Sequence, residues 1–345
     1  MPIKSDGSAV SWAVAAVGQI TSARYRPVRL RETSGSAVVF LAPPGEKLPA
    51  YCVKVRKAVR SVPSVRRKAG ELPTALEYEM MSRVHKYFSR FPEFSDSTPY
   101  PVQVSVEHNA ILSEYAGGGG LRERLPWWGN AATSARDMRN LRRVSEKCGA
   151  WLALLHKMKP PDWLPAPHIG PGILESKTLE AVASLPECLR REIPLDDLLD
   201  EIRGLNLERK RLVVSHGDFQ PGNILVSGLG MTIVDLATAR VCPIEDDLSF
   251  FIVLLFTHKE RIVYGSVPGT AAFPRELSNA FLSGYGFPPG DGWHHLRPML
   301  RFHVVERLAE MCARIQRYPA VFRPFLVHRL VDWVRSKPPL LFGWK

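Results

Sequence analysis

The chain has 345 residues, of which 45% are hydrophobic and 23% charged, which excludes a disordered chain and leaves room for two core-bearing units of about 150 residues each. Lys and Arg number 46 against 34 Asp and Glu, a net charge of +12. That balance disfavours polycationic substrates and suits anionic partners such as nucleotides, nucleic acids or an acidic membrane surface. The longest strongly apolar run, Phe250 to Phe256, has seven residues, far short of the roughly 20 that a membrane span needs. The cysteines Cys52, Cys148, Cys188, Cys242 and Cys312 are widely spaced with no C-x-x-C. They read as reduced, buried thiols of a cytoplasmic protein.

Residues 1–24 form an N-terminal extension in this reading. The apolar stretch Ala9 to Val17 is expected as a surface helix rather than a signal peptide. Val28–Arg31 and Ala37–Leu41 read as strands around the small-residue turn Thr33–Ser36, and Tyr51–Val55 as a third strand carrying Lys54. Tyr51 to Gly70 holds seven basic residues and no acid. It reads as a solvated loop, in preference to a stretch that draws in nucleotide or an anionic substrate, and not as a nucleic-acid surface, because no aromatic follows Tyr51 within it. Thr74 is the expected N-cap of a helix over 74–89, with Leu76, Met80, Val84 and Phe88 on one face. Val102–Val106 and Ala110–Ser113 form a hairpin before Gly117–Gly120, the strongest break in the chain. Residues 25–116 are therefore expected as a β-rich domain and 117–345 as a mainly helical one. The second holds a long helix over 138–158, further helices over 176–210 and from Asp246 onward, and short strands at 211–214, 224–226 and 231–234.

The segment Val213–Val226 contains Ser215-His216-Gly217-Asp218, then Asn223 five residues after Asp218, and Asp235 follows Asn223 by twelve. A carboxylate and an amide held between short strands, with a second carboxylate after the next strand, fit phosphoryl transfer. One carboxylate orients a hydroxyl and takes its proton, and hard oxygen ligands hold Mg²⁺.

This pattern resembles the H-G-D-x-x-x-x-N catalytic loop of the aminoglycoside phosphotransferase and choline kinase family, within the protein-kinase-like superfamily. The resemblance spans roughly residues 25–255. It implies an α+β bilobal fold, with a β-rich N-lobe that binds nucleotide and a mainly helical C-lobe that holds the acceptor. It also implies ATP with Mg²⁺ as cofactors and transfer of the γ-phosphate to a small-molecule hydroxyl. By this resemblance Asp218 is the catalytic base, Asn223 and Asp235 are the metal ligands, and His216 holds the loop. Leu154-Leu155-His156 resembles the L-x-x-L-H ending of the family's long helix. Asp247, in a P-x-x-D-L-like run, braces the loop or serves as an acidic helix N-cap. Lys54 is the strand lysine at the phosphates. Its acidic partner is Glu77 or Glu79, about 200° apart on the helix, with Glu77 the better match. Backbone near Glu114 and Ala116 receives the adenine, and Ser34, Gly35 and Ser36 form the phosphate loop. That loop lacks G-x-G-x-x-G, and Asp235 is followed by Leu236-Ala237 rather than Phe-Gly.

The basic charge points away from aminoglycosides and choline and toward a neutral or anionic sugar or metabolite. Phe322–Arg335 is amphipathic and basic, and Leu340–Lys345 follows it. Packing of this segment on the core is favoured over weak contact with an anionic membrane. Other readings are a catalytically silent nucleotide-binding protein and a protein kinase. Against them stand the retention of Lys54, Asp218, Asn223 and Asp235, and the Gly217 form of the loop. The sequence carries no signal of oligomeric state.

Overall fold

The computed structural model describes residues 7–32, 35–57, 71–125, 134–165, 170–205, 210–228, 230–257, 272–287, 292–316 and 320–336. Ser34, the basic stretch 58–70 and the terminal 337–345 lie outside them. The chain divides into two compact units, 1–118 with 225–239, and 119–224 with 240–345.

The first unit is built on a five-stranded antiparallel sheet in the order β1-β2-β3-β5-β4. Its strands are β1 (Arg26–Glu32), β2 (Ser36–Ala42), β3 (Tyr51–Arg56), β4 (Pro101–Ser105) and β5 (Ala110–Glu114). Burial alternates along β2 and β3, and Val39, Leu41, Val53 and Val55 share one buried face. Helix α1 (Gly7–Thr21) packs there through Ala9, Ala13, Ala16 and Val17, spaced one and two turns apart. Its small side chains let the helix lie close to the sheet. Helix α1 is thus part of this core.

Helix α2 (Thr74–Phe88) buries Glu77, Met80, Val84 and Phe88. Thr74 is not its N-cap. Pro73 holds that position, and the Thr74 hydroxyl donates to the side chain of Asn109 in the β4–β5 turn. Segment 225–239 also belongs to this unit. The Ile233 amide donates to Ser97 O at 2.7 Å, and the Leu72 amide to Ala237 O at 2.7 Å. Gly118, at φ +110°, passes so close to Val226 that a Cβ would stand 2.6 Å from its carbonyl oxygen, so only glycine fits.

The second unit is mainly helical. After β6 (Gly119–Gly120) come α3 (Leu121–Arg124), α4 (Ala135–Leu155), α5 (Pro171–Ala183), α6 (Glu187–Arg190) and α7 (Leu195–Arg203). Ser134 caps α4 by accepting from the Asp137 amide at 3.1 Å. β7 (Leu212–Ser215) enters the motif and β10 (Arg240–Pro243) pairs antiparallel with it, while the intervening β8 (Ile224–Ser227) and β9 (Gly230–Ile233) fall in the segment that returns to the first unit. α8 (Ile244–Phe256) contains the apolar run and is almost wholly buried. α9 (Ala272–Tyr285), α10 (Gly292–Ile315) and α11 (Arg323–Ser336) complete the unit. Leu330 and Val331 of α11 are buried, which supports the packing alternative for that segment.

Among the described residues no helix is long and apolar enough to cross a membrane. Cys148, Cys242 and Cys312 are buried thiols as expected, whereas Cys188 is exposed and Cys52 half-buried. Cys188 belongs to the four-residue helix α6 and turns away from the core that takes Leu189.

Candidate active site

The predicted residues fall into two groups, one in each unit. In the first unit the ladder sets Lys54 opposite Val38 on one side and Ile111 on the other. Its Nζ lies 2.7 Å from Glu77 Oε1 and 2.7 Å from Asp235 Oδ1. Glu79, two residues along α2, points elsewhere and pairs with Arg83 at 3.0 Å. Burial works against the Lys54 ammonium, but Asp235 and Glu77 outweigh it and hold its proton more firmly than in a free lysine. Burial pushes the Glu77 carboxyl up, against the pull of Lys54. Arg56 adds a cation 3.8 Å from Glu77 Oε2 and also bonds Glu71 and the Leu72 carbonyl. Asp235 adopts φ +72°, a left-handed conformation that a non-glycine residue reaches at a cost of about 1–2 kcal/mol.

Glu114 ends β5, with its amide bonded to Tyr100 O at 2.9 Å, and the next amide, Tyr115, reaches Ala50 O at 2.8 Å. The Glu114 amide is therefore taken within the sheet, and its carbonyl faces the Cys52 thiol at 3.9 Å. Ala116 follows directly. Gly35 O accepts from the Lys57 amide at 3.0 Å, and Ser36 opens β2 opposite Arg56.

In the second unit β7 delivers the chain into the loop Ser215–Asn223. Asp218 Oδ2 accepts from Gln220 Nε2 at 2.7 Å and from Asn223 Nδ2 at 2.9 Å. Asn223 Nδ2 also donates to the Asp218 carbonyl at 2.9 Å. The Asn223 amide thus turns its nitrogen to Asp218 and its oxygen away.

Asp247 grips the loop from α8. Its Oδ2 accepts from the His216 amide at 2.8 Å and its Oδ1 from the Gly217 amide at 3.0 Å. Gly217 stands at φ +76°, which turns successive amides toward one carboxylate. Asp247 is not a cap. Pro243 holds the N-cap position and Asp247 is the fourth helical residue. His156, at the C-cap of α4, places Nε2 at 3.3 Å from Asp247 Oδ2 and Nδ1 at 2.7 Å from the Tyr285 hydroxyl. Although burial opposes it, the His156 hydrogen bond leads in holding the Asp247 carboxyl below its ordinary value. An ionised Asp247 only accepts, so His156 Nε2 carries the hydrogen. On the other side of the ring, Nδ1 and the Tyr285 hydroxyl share the second hydrogen bond. The His216 ring lies edge-on to Trp151 and Phe219, which stack on each other with centroids 5.8 Å apart.

The neighbouring acids have partners of their own. Glu245 bonds Lys210, and Asp246 meets Arg240 at 2.7 Å and His303 at 3.2 Å. Sequence reasoning missed Gln220, Arg56 and Tyr285. A glutamine two residues past Asp218 was a readable signal, whereas Tyr285 lies far along the chain with no motif around it.

The profile described as "Phosphotransferase enzyme family" (APH) matches residues 114–299, just over half of the chain. No curated protein matches it. Among solved structures, a choline/ethanolamine kinase family protein from Mesorhizobium loti is 13% identical, with 97% of this chain and 96% of that chain covered and a TM-score of 0.58. An amicoumacin kinase in complex with AMP-PNP and Ca²⁺ is 14% identical over 92% and 90%, with a TM-score of 0.56. A glucosamine kinase in complex with glucosamine, ADP and inorganic phosphate is 16% identical over 96% and 83%, with a TM-score of 0.55. At these identities the similarity establishes a shared bilobal, kinase-like α+β fold.

Proposed function

The chain belongs to the APH phosphotransferase enzyme family, as an ATP-dependent small-molecule kinase, and we propose that it phosphorylates a hydroxyl of a neutral or anionic sugar or metabolite with Asp218 as its base. The observation that carries this reading is the Asp218 carboxylate. Gln220 and Asn223 orient it, in a loop whose backbone Asp247 clamps.

In this reading the acceptor hydroxyl gives its proton to Asp218 as its oxygen bonds to the γ-phosphorus. The bond to the β–γ bridging oxygen breaks, and ADP leaves. The first unit supplies Lys54 for the phosphates, kept extended by Glu77. The turn at Ser34, Gly35 and Ser36 and the backbone at Glu114 and Ala116 serve the nucleotide. Residues 25–116 are the nucleotide-binding lobe and 117–345 the catalytic lobe, with 225–239 returning Asp235 to the first unit.

Asn223 and Asp235 fit Mg²⁺ by donor type. One offers an amide oxygen turned away from Asp218 and the other a carboxylate. When bound, Mg²⁺ would neutralise charge on the phosphates. His216 and Asp247 hold the loop.

The net charge of +12 supports an acceptor that is not a polycation. A panel with γ-labelled ATP tests this. It sets sugars, sugar phosphates and hydroxy acids beside choline, an aminoglycoside and a serine peptide. Label is expected in the uncharged or anionic small molecules. Preferential labelling of the aminoglycoside, choline or the peptide would overturn the acceptor assignment.

A further inference from the structure

Side chains directly opposite one another in an antiparallel ladder share a face, and faces alternate along each strand. The register therefore sorts β1. Leu30 pairs with Val39, and Val39 with Val53, on the face that packs against α1. Arg29 and Arg31 stand on the other face. Arg31 pairs with Val38, and Val38 with Lys54, so Arg31 and Lys54 share one row across the sheet. Two strand spacings, about 10 Å, separate them, with valine as the floor between.

The two ends of this face differ. The row nearer Glu114 holds Phe40, paired with Cys52 and then Ser113. Tyr115 meets the Phe40 ring edge-on at 5.7 Å, and the Arg29 guanidinium lies 3.9 Å over it. That end is aromatic, and Arg29 is engaged in it. The Arg31–Lys54 row lies two residues further along the strands, beside the turn at Gly35 and Ser36. Arg31 is exposed, and among the described residues it forms no ion pair, while neighbouring Glu32 goes to Lys57 at 3.5 Å. The stretch 33–36 has a single glycine, where a glycine-rich loop would supply a cradle of backbone amides.

We propose that Arg31 is a second cation for the nucleotide's polyphosphate, a guanidinium in the Lys54 row that serves where this chain lacks a glycine-rich loop. The inference rests on the reading of the Lys54 face as the nucleotide face. It places the base at the Phe40–Tyr115 end and the phosphates at the Arg31 end.

Calorimetric binding of ATP, AMP and adenosine, each with Mg²⁺, tests it on wild type, Arg31→Ala, Lys54→Ala and Arg90→Ala, a cation outside the sheet. Arg31→Ala is expected to weaken ATP about tenfold and to leave adenosine unchanged. An equal loss for all three ligands would place Arg31 on the base and overturn the phosphate assignment. An equal loss from Arg90→Ala would reduce the effect to overall charge and overturn it too. ATP affinity kept in Arg31→Ala but lost in Lys54→Ala would overturn Arg31 alone and leave the nucleotide face standing. Wild type that fails to bind ATP would overturn the underlying reading.

Discussion

Asp218 and Asp247 are aspartates of one unit with opposite surroundings. Asp218 meets two side-chain amides, which fix its direction. Asp247 meets two backbone amides and a histidine in a site with 1% exposure. Asp247→Asn presents one oxygen and one N–H₂ to two N–H donors, so a buried donor loses its partner, at about 1–3 kcal/mol. The folded pKa of Asp247 is depressed, so its stabilisation is complete above the ordinary aspartate value of 3.8 and is lost as pH falls through the folded value. The Tm of Asp247→Asn is therefore expected to fall below wild type by a constant amount between about pH 5 and 8. The gap should narrow only below pH 3.8. A gap that stays flat in thermal melts down to about pH 2 would contradict the ionised clamp.

At the scale of elements, the crossing of α4 and α9 sets where His156 meets Tyr285. The two backbones touch through glycine. A Cβ on Gly149 would stand 1.9 Å from Phe281 O, and one on Gly284 1.9 Å from Glu146 O. Gly149→Ala must push the helices apart, at about 3 kcal/mol or more, and a Tm drop on the order of 6 °C or more is expected. Gly172→Ala, in the first turn of α5 with nothing within 4 Å of its Cβ, is expected to raise Tm slightly, because alanine favours helix by up to about 1 kcal/mol. Equal melts for the two variants would remove the crossing from the account.

Local patterns made most elements readable. Alternation in β2 and β3 and the 3.6-residue spacing in α2 depend on neighbours in sequence. Thr74 was misassigned because Asn109, thirty-five residues away, captures its hydroxyl. The facing of Arg31 was not readable either, since an irregularity between Pro27 and Arg29 resets the register.

At the scale of the whole molecule, the motif Asp218, Asn223 and Asp235 could be read because it lies within 18 residues of chain. The grouping of 225–239 with the first unit could not, because it depends on hydrogen bonds to Ser97 and Leu72. Between Glu77 and Glu79 the motif favoured Glu77 without settling the pair, and burial decides it the same way. Glu77 is 0% exposed and reaches Lys54, while Glu79 stays on the outer face of α2. The central claim is that these residues make the chain a phosphotransferase with Asp218 as its base. Its most direct test is transfer of γ-labelled phosphate from ATP to the best acceptor of the panel, by wild type and Asp218→Ala at matched nucleotide saturation. Transfer is predicted to fall about 10²–10⁴-fold in the variant while its ATP affinity stays unchanged. Transfer at the wild-type rate by Asp218→Ala would contradict the account.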